Sequence, residues 1–189
     1  LLYGYHLAKE KIYKTKEIIV CEGYLDVIML HQAGFNNAVA TLGTALTKDH
    51  LPLLRRGEPR VILSYDGDKA GQNAAFKASV MLSQNGFDGG VVIFENGADP
   101  ADMVKDRKIE ELEELFSNPT PFANFAISYI ISSYNINNPV EKQKALSEAN
   151  EYLSSLSQLY QEEYKRFLAQ KLNIKESLIK TSNTIHRKN

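Results

Sequence analysis

Short apolar runs and longer mixed segments alternate through the first two thirds of the chain. Residues 17–23 (EIIVCEG), 37–41 (NAVAT), 60–66 (RVILSYD) and 89–95 (GGVVIFE) are rich in Val and Ile and end in polar or glycine positions. Each is predicted to be a strand. Their hydrophobicity is nearly continuous rather than alternating, which suits a mostly parallel sheet covered on both faces. Helices are predicted between them. Residues 24–34 carry Leu25, Ile28, Met29 and Gln32 near one face and stop at Gly34. Residues 47–56 open on Thr47, a good N-cap, and residues 69–86 end on Asn85-Gly86. This βαβα rhythm predicts a doubly wound α/β domain.

The rhythm changes at SNPTP (117–121), which breaks the chain and is followed by no strand-like run. Phe122, Phe125, Ala126, Tyr129 and Ile130 recur at helical spacing, as do Leu146, Ala149, Leu153 and Leu156, and then Tyr160, Tyr164, Phe167 and Leu168. Three such stripes predict a small helical bundle packed beside the sheet. SYNINNP (133–139) reads as the turn between the first two. The expected division is a leading segment at 1–16, the α/β part at 17–117, the bundle at 118–181 and a polar tail or linker at 182–189.

Composition narrows the picture. A chain of 189 residues with a net charge of -1 has no global basic signature, so attraction to nucleic acid must come from local patches or from parts outside the chain. One cysteine, Cys21, excludes an internal disulfide and a Cys-rich zinc site and suits a reducing compartment. Cys21 sits inside an apolar run and reads as core. No run approaches the roughly 20 apolar residues that cross a bilayer. The chain opens on leucine in what looks like mid-domain sequence, so it reads as a fragment of a longer protein.

Candidate chemistry lies in the acids. The first predicted strand ends in Glu22-Gly23 with Asp26 four residues on, the third ends in Asp66-Gly67-Asp68, and the fourth leads into ENGADPAD with Glu95, Asp99 and Asp102. Open parallel sheets bind ligands beyond the carboxyl ends of their strands. Each acid has an ordinary explanation when taken singly. Asp-Gly is a turn signal, Asp68 can cap the next helix, Asp26 is a first-turn acid, and Asp99-Pro100 is helix-start chemistry. Together, several carboxylates at adjacent strand ends repel one another unless a cation sits among them. Mg²⁺ is the natural candidate, since it takes hard oxygen ligands and keeps waters or phosphates in its other positions. Two such ions stabilise both the attacking and the leaving oxygen of a phosphoryl transfer. Gly23 and Gly67 are expected to let a phosphate or metal come close.

VCEGYLDVI (20–28), ATLGTALT (40–47), SYDGDKAG (64–71) and GADPADM (97–103) resemble the Toprim domain, and more closely the catalytic core of bacterial DnaG-type primases. LYGYHLAK (2–9) resembles the segment that precedes Toprim in that family, and the helical tail ending LAQKLNI (168–174) resembles the bundle that closes its polymerase domain. The fold implied is a Rossmann-like, mostly parallel four-stranded sheet flanked by helices, followed by a small C-terminal helical bundle. The resemblance implies a nucleotidyltransferase that makes short RNA primers from ribonucleoside triphosphates on a single-stranded DNA template. It implies Glu22, Asp66 and Asp68 as catalytic residues holding Mg²⁺ or Mn²⁺, with Asp26 and Asp99 holding further metal. In other Toprim enzymes the counterpart of Glu22 acts as a general acid or base.

Many members of the family read Asp-Pro-Asp where this chain has Asp99-Pro100-Ala101-Asp102. Asp102 is thus displaced by one residue, about 100° around a helix. Thr44, Arg55, Arg56 and Lys69 are candidate nucleotide or nucleic-acid contacts, although turn and solvated-face roles serve Thr44 and the arginines equally well. Tyr24 reads as packing, and His31 and His50 lack partners at ligand spacing. The resemblance places a zinc domain, a basic half of the polymerase domain and a C-terminal replicative-helicase-binding domain outside this chain, and implies a cytoplasmic protein with no membrane contact. The alternatives are the Toprim domain of a topoisomerase or nuclease, a non-catalytic Toprim module, or a phosphohydrolase using Asp66. The last suits Lys69-Ala70-Gly71 poorly.

Overall fold

In a computed structural model of the chain, residues 1–95 and 98–181 are described. They form two compact units, Leu1–Phe122 and a second that begins at Ala123. The first unit is built on the strands β1 (Glu17–Cys21), β2 (Ala38–Ala40), β3 (Arg60–Asp66), β4 (Gly89–Phe94) and β5 (Thr120–Pro121), ordered β2-β1-β3-β4-β5. β2, β1, β3 and β4 run parallel, with Val20 beside Val39 and Leu63, and Leu63 beside Val91. The order reverses between β1 and β3, and in such sheets that crevice is where ligands sit.

Every residue from Ile18 to Cys21 and from Val61 to Tyr65 is buried, so both faces of the sheet are covered. The helices are α1 (Tyr5–Thr15), α2 (Tyr24–Gln32), the short α3 (Leu51–Leu54), α4 (Lys69–Gln84), α5 (Pro100–Lys105) and α6 (Ile109–Ser117). On one face Ile19, Cys21, Ile62, Val92 and Phe94 pack with Val27 and Leu30 of α2, Met103 of α5, and Leu112 and Phe116 of α6. Successive strand residues point to opposite faces, so Ile18, Val20, Val61 and Leu63 serve the other side, where α1 packs on β1 and β2 and α4 on β3 and β4. The face of α4 turned inward is Gly71, Ala75, Ala78, Ser79, Leu82 and Ser83, small enough at its start to bring the helix close to the strand beneath.

The fold class agrees with the sequence reading and differs from it in detail. α1 lies in the leading segment, 1–16, for which no helix is predicted; its buried Ala8 and Ile12 are four residues apart, the helical spacing of one face. α2 turns another side to the core than expected. Val27 and Leu30 are buried, while Leu25 and Ile28 are 60% and 38% exposed. The sheet has a fifth, antiparallel strand, β5, drawn from the SNPTP stretch that read as a break; Val91 pairs with Thr120 and Gly90 with Pro121. Pro121 lacks an N–H, which a strand at the margin of a sheet tolerates. A side chain at position 90 would meet the Thr120 carbonyl at 2.3 Å, so glycine there lets β5 approach. At the other margin, Tyr3 and Ala40 form an antiparallel bridge, with N–H···O distances of 2.8 and 3.1 Å.

The helices α7 (Phe122–Ser132), α8 (Pro139–Ser154) and α9 (Gln158–Leu172) follow. The turn between α7 and α8 ends on Asn138, whose side chain accepts from the N–H groups of Val140 and Glu141. α8 packs against α9, and Lys142 Nζ donates to the Asn173 carbonyl at 3.2 Å. α8 buries Ala145, Ala149, Tyr152 and Leu153. α9 departs from the predicted stripe: its buried residues are Gln161, Leu168, Ala169 and Leu172. Gln161 is accommodated because its Nε2 donates to the Leu156 carbonyl at 2.9 Å. No helix among the described residues is long and apolar enough to cross a membrane. The predicted polar tail at 182–189, and Asn96 and Gly97 of the acidic loop, lie outside the described residues.

Candidate functional site

The acids gather where the strands end. β1 stops at Cys21 and delivers Glu22; β3, in register with it through Cys21 and Ser64, stops at Asp66. Both carboxylates therefore stand at the strand ends that flank the point where the strand order reverses. The two carboxylates are close enough that the charge of Asp66 acts directly on Glu22. Burial, and then the charge of Asp66, push the Glu22 carboxyl up to about 7; Asp68 adds to the effect. Asp26, in the first turn of α2, forms a second acidic pair with Asp99. Burial first, then the charges of Asp99 and Asp66, push its carboxyl up to about 6, against a hydrogen bond from the Ala101 backbone.

Asp68 and Asp99 are built alike. Each is a helix N-cap in extended backbone conformation: Asp68 Oδ1 accepts from Gly71 N–H at 2.6 Å, and Asp99 Oδ1 from Asp102 N–H at 2.7 Å. The N-cap explanation thus holds at both aspartates, and their charges also act on Glu22 and Asp26 respectively. Asp102 is exposed on the first turn of α5, beyond its own cap. Gly67 answers a different need from the one expected. A Cβ there would meet the Phe94 carbonyl at 2.3 Å, so the space is taken by the end of β4 rather than left for a ligand. Gly23 has only the Asp26 carboxylate nearby, at 3.9 Å, and does leave room.

Beside Glu22 and Asp68 a cavity of about 370 Å³ opens between the loop after β2 and the start of α4. Thr44 lines it, its hydroxyl donating to the Thr41 carbonyl at 2.8 Å. Tyr65 forms part of its wall; burial and then the Glu22 charge push its phenol up. Sequence reasoning passed over Tyr65 and Ala101, for which adjacency to the acidic motifs was the available signal. Lys69 is exposed at the first position of α4. The arginines lie elsewhere. Arg60 opens β3, whose other end is Asp66, and reaches Glu17 at 3.9 Å and Asp88 at 3.6 Å. Arg55 stacks 4.3 Å over the Phe87 ring and donates to the Asn85 carbonyl. Arg56 follows it in the same turn, near Tyr5. Cys21 is fully buried and burial raises its thiol, as a core cysteine should be.

Among the described residues no lysine or arginine pairs with Glu22, Asp26, Asp66, Asp68 or Asp99. As the side chains stand, no three His, Cys, Asp or Glu groups among those residues are drawn into a ready metal cage. The donor set itself fits a hard divalent cation: it is all-carboxylate, half-buried apart from the exposed Asp68, and mutually repelling, so that a bound charge of opposite sign relieves what raises Glu22 and Asp26.

Comparison with known proteins agrees with this geometry. A family model described as Toprim-like matches residues 19–104. A second, described as the DnaB-helicase binding domain of primase, matches residues 123–177. That match lies inside the helical part, whereas helicase binding was expected only in a domain outside the chain. The DNA primase of Helicobacter pylori strain J99 is 58% identical over 169 residues, 89% of this chain and 30% of that protein. The DNA primase of Campylobacter jejuni is 42% identical over 179 residues, 95% of this chain and again 30% of its relative. The chain thus spans about a third of the curated relatives it matches. Among solved structures, a DnaG catalytic core superimposes with a TM-score of 0.81 at 29% identity, covering 95% of this chain and 59% of that one. A DnaG primase catalytic domain bound to single-stranded DNA gives 0.81 at 30% identity, covering 94% and 57%. A Toprim sheet with its acids at the reversal of strand order, and relatives that are primases over nearly the whole chain, lead to one conclusion: the chain belongs to the DnaG-type DNA primase family.

Proposed function

We propose that this chain is the Toprim part, with its adjoining helices, of an RNA polymerase domain that makes primers on single-stranded DNA in the bacterial cytoplasm. In the reaction, the 3′-hydroxyl of the growing RNA attacks the α-phosphate of an incoming ribonucleoside triphosphate and pyrophosphate leaves. Glu22, Asp66 and Asp68 are the catalytic carboxylates and would hold Mg²⁺ or Mn²⁺, with Asp26 and Asp99 holding further metal and Asp102 at the edge of that set. Bound there, the cation would neutralise the carboxylates and stabilise charge on the reacting phosphoryl oxygens.

The chain's own residues have definite tasks. Glu22, its carboxyl raised by burial and by the charge of Asp66, keeps its proton to higher pH when no cation is present and releases it when one binds. The caps at Asp68 and Asp99 fix the backbone of those two loops, so each carboxylate keeps one oxygen engaged and one free. Thr44 and Lys69, flanking the cavity beside Glu22, are the candidate contacts to the nucleotide. Arg55 and Arg56 sit apart from the acids and would serve only nucleic acid that runs past the far end of the sheet. The family match over residues 123–177 supports a contact between the helical part and a replicative helicase. The observation that carries the proposal is the pairing of the Glu22 and Asp66 carboxylates at the strand-order reversal, with no cationic side chain among the described residues to offset it.

Crystals soaked in Mn²⁺ test it directly. Anomalous peaks are expected among Glu22, Asp66 and Asp68; a clean map with those side chains splayed apart would sink the metal site. Full-length protein carrying Asp66→Ala should lose primer synthesis by at least about 100-fold. Strand cleavage by the wild type in place of primer synthesis would point instead to a topoisomerase or nuclease.

A further inference from the structure

We propose that His50 is a positioning residue: its side chain latches the loop between β2 and α3 that forms one wall of the cavity beside Glu22 and Asp68. The inference rests on the primase reading of that cavity and adds a residue to it. The loop is irregular from Thr41 to Thr47 and closes in a single 3-10 turn, Lys48–His50, that leads into α3. Thr41 is tied back to β1 through its N–H to the Cys21 carbonyl at 3.4 Å, and beyond it Leu42 and Gly43 are both left-handed, with φ of 57° and 72°. Leu42 is not a residue that adopts that conformation freely, so the loop is held in shape from its ends. At the far end stands a reciprocal cap. The His50 N–H is bound by the Thr47 side chain, and the Thr47 N–H donates to His50 Nδ1 at 2.9 Å.

That arrangement ordinarily uses glutamate or glutamine at the His50 position. Histidine accepts there through a ring nitrogen, which requires the proton to sit on Nε2. Unlike glutamate, it adds no negative charge beside a cavity already lined by Glu22 and Asp68. His50 is itself buried, together with Leu46 and Leu51 around it, so the latch is anchored in the core while Thr44 and Gly43 face the cavity. The walls opposite each other carry nothing larger than threonine apart from Tyr65 and the two acids. Such a slot depends on backbone position for its width. The cavity falls in the range of small-ligand pockets, and its chemistry, small walls with carboxylates at the mouth, suits the nucleoside end of a nucleotide.

A residue that only shapes the pocket acts on the bound substrate and on the transition state alike, so it changes KM and leaves kcat. In full-length protein, His50→Leu keeps an apolar side chain in the core and removes the acceptor. It should raise KM for the ribonucleoside triphosphate about 3- to 10-fold, the size of one lost hydrogen bond, with kcat within about twofold. His50→Gln, which restores the usual cap, should return KM to within about twofold of wild type. Thr47→Ala cuts the other half of the cap from the exposed side and carries the same prediction should His50→Leu not fold. An unchanged KM in both His50→Leu and Thr47→Ala overturns the inference alone, as does a fall in kcat with KM constant, or a His50→Gln protein as impaired as His50→Leu. Wild-type protein that makes no primer overturns the inference together with the function on which it rests.

Discussion

Glu22 holds its proton more tightly in the folded protein than in the unfolded chain, at about 7 against an ordinary 4.5, and Asp26 does so at about 6 against 3.8. A raised carboxyl contributes most below its unfolded value, and that contribution is lost as pH rises through the folded one. In EDTA the thermal midpoint should therefore fall as pH rises from about 4.5 to about 7. Glu22→Gln should flatten this fall and raise the midpoint at pH 7.5; a variant with the wild-type slope would count against the repulsion described. Saturating Mn²⁺ should raise the wild-type midpoint at pH 7.5 and leave Glu22→Gln nearly unmoved. Asp68 offers a cleaner separation of roles. Asparagine caps a helix about as well as aspartate, while alanine costs roughly 1 kcal/mol. Asp68→Asn should match wild type in urea unfolding yet bind Mn²⁺ more weakly, and Asp68→Ala should lose both. Equal Mn²⁺ affinity in Asp68→Asn and wild type would leave the carboxylate as a cap and nothing more.

At the scale of elements, what could be read in advance depended on how strongly each segment's own pattern chose its place. β1, β3 and β4 are apolar at nearly every position, so they were legible as buried strands, and the acids at their ends followed. α2 is apolar on almost all sides, through Leu25, Val27, Ile28, Met29 and Leu30. Its pattern could not select a face, and packing against α5 and the sheet did so instead. In α9 the tyrosines mark one stripe in the sequence, whereas the burial of Gln161 depends on a carbonyl contributed by the preceding turn. β5 has two residues and no periodicity at all; only its pairing with β4 defines it. The same contrast gives a test of packing. Leu112→Ala, in the fully buried face of α6, should cost about 2–5 kcal/mol in urea unfolding. Leu25→Ser, on the open side of α2, should stay within about 0.5 kcal/mol. A large loss at Leu25 would mean that the sequence-based face of α2 was the right one.

For the molecule as a whole, the acids are present in one unit, yet the chain covers 59% of a matched catalytic core and 30% of its curated relatives. Its net charge of -1 supplies no general hold on a template. The isolated 189-residue chain is therefore expected to bind Mn²⁺, read by titration, while making little or no primer on single-stranded DNA; robust synthesis by it would refute that division of labour. The closure of the sheet bears on a separate matter. An open margin presents unpaired backbone groups that recruit strands from other molecules and begin fibrils. Here the Tyr3–Ala40 bridge occupies one margin, and a short strand ending in proline occupies the other. Strand addition is hindered where these segments sit, at Ala40 on one margin and at Gly90 and Val91 on the other, which lowers the tendency of the five-stranded core to recruit further strands.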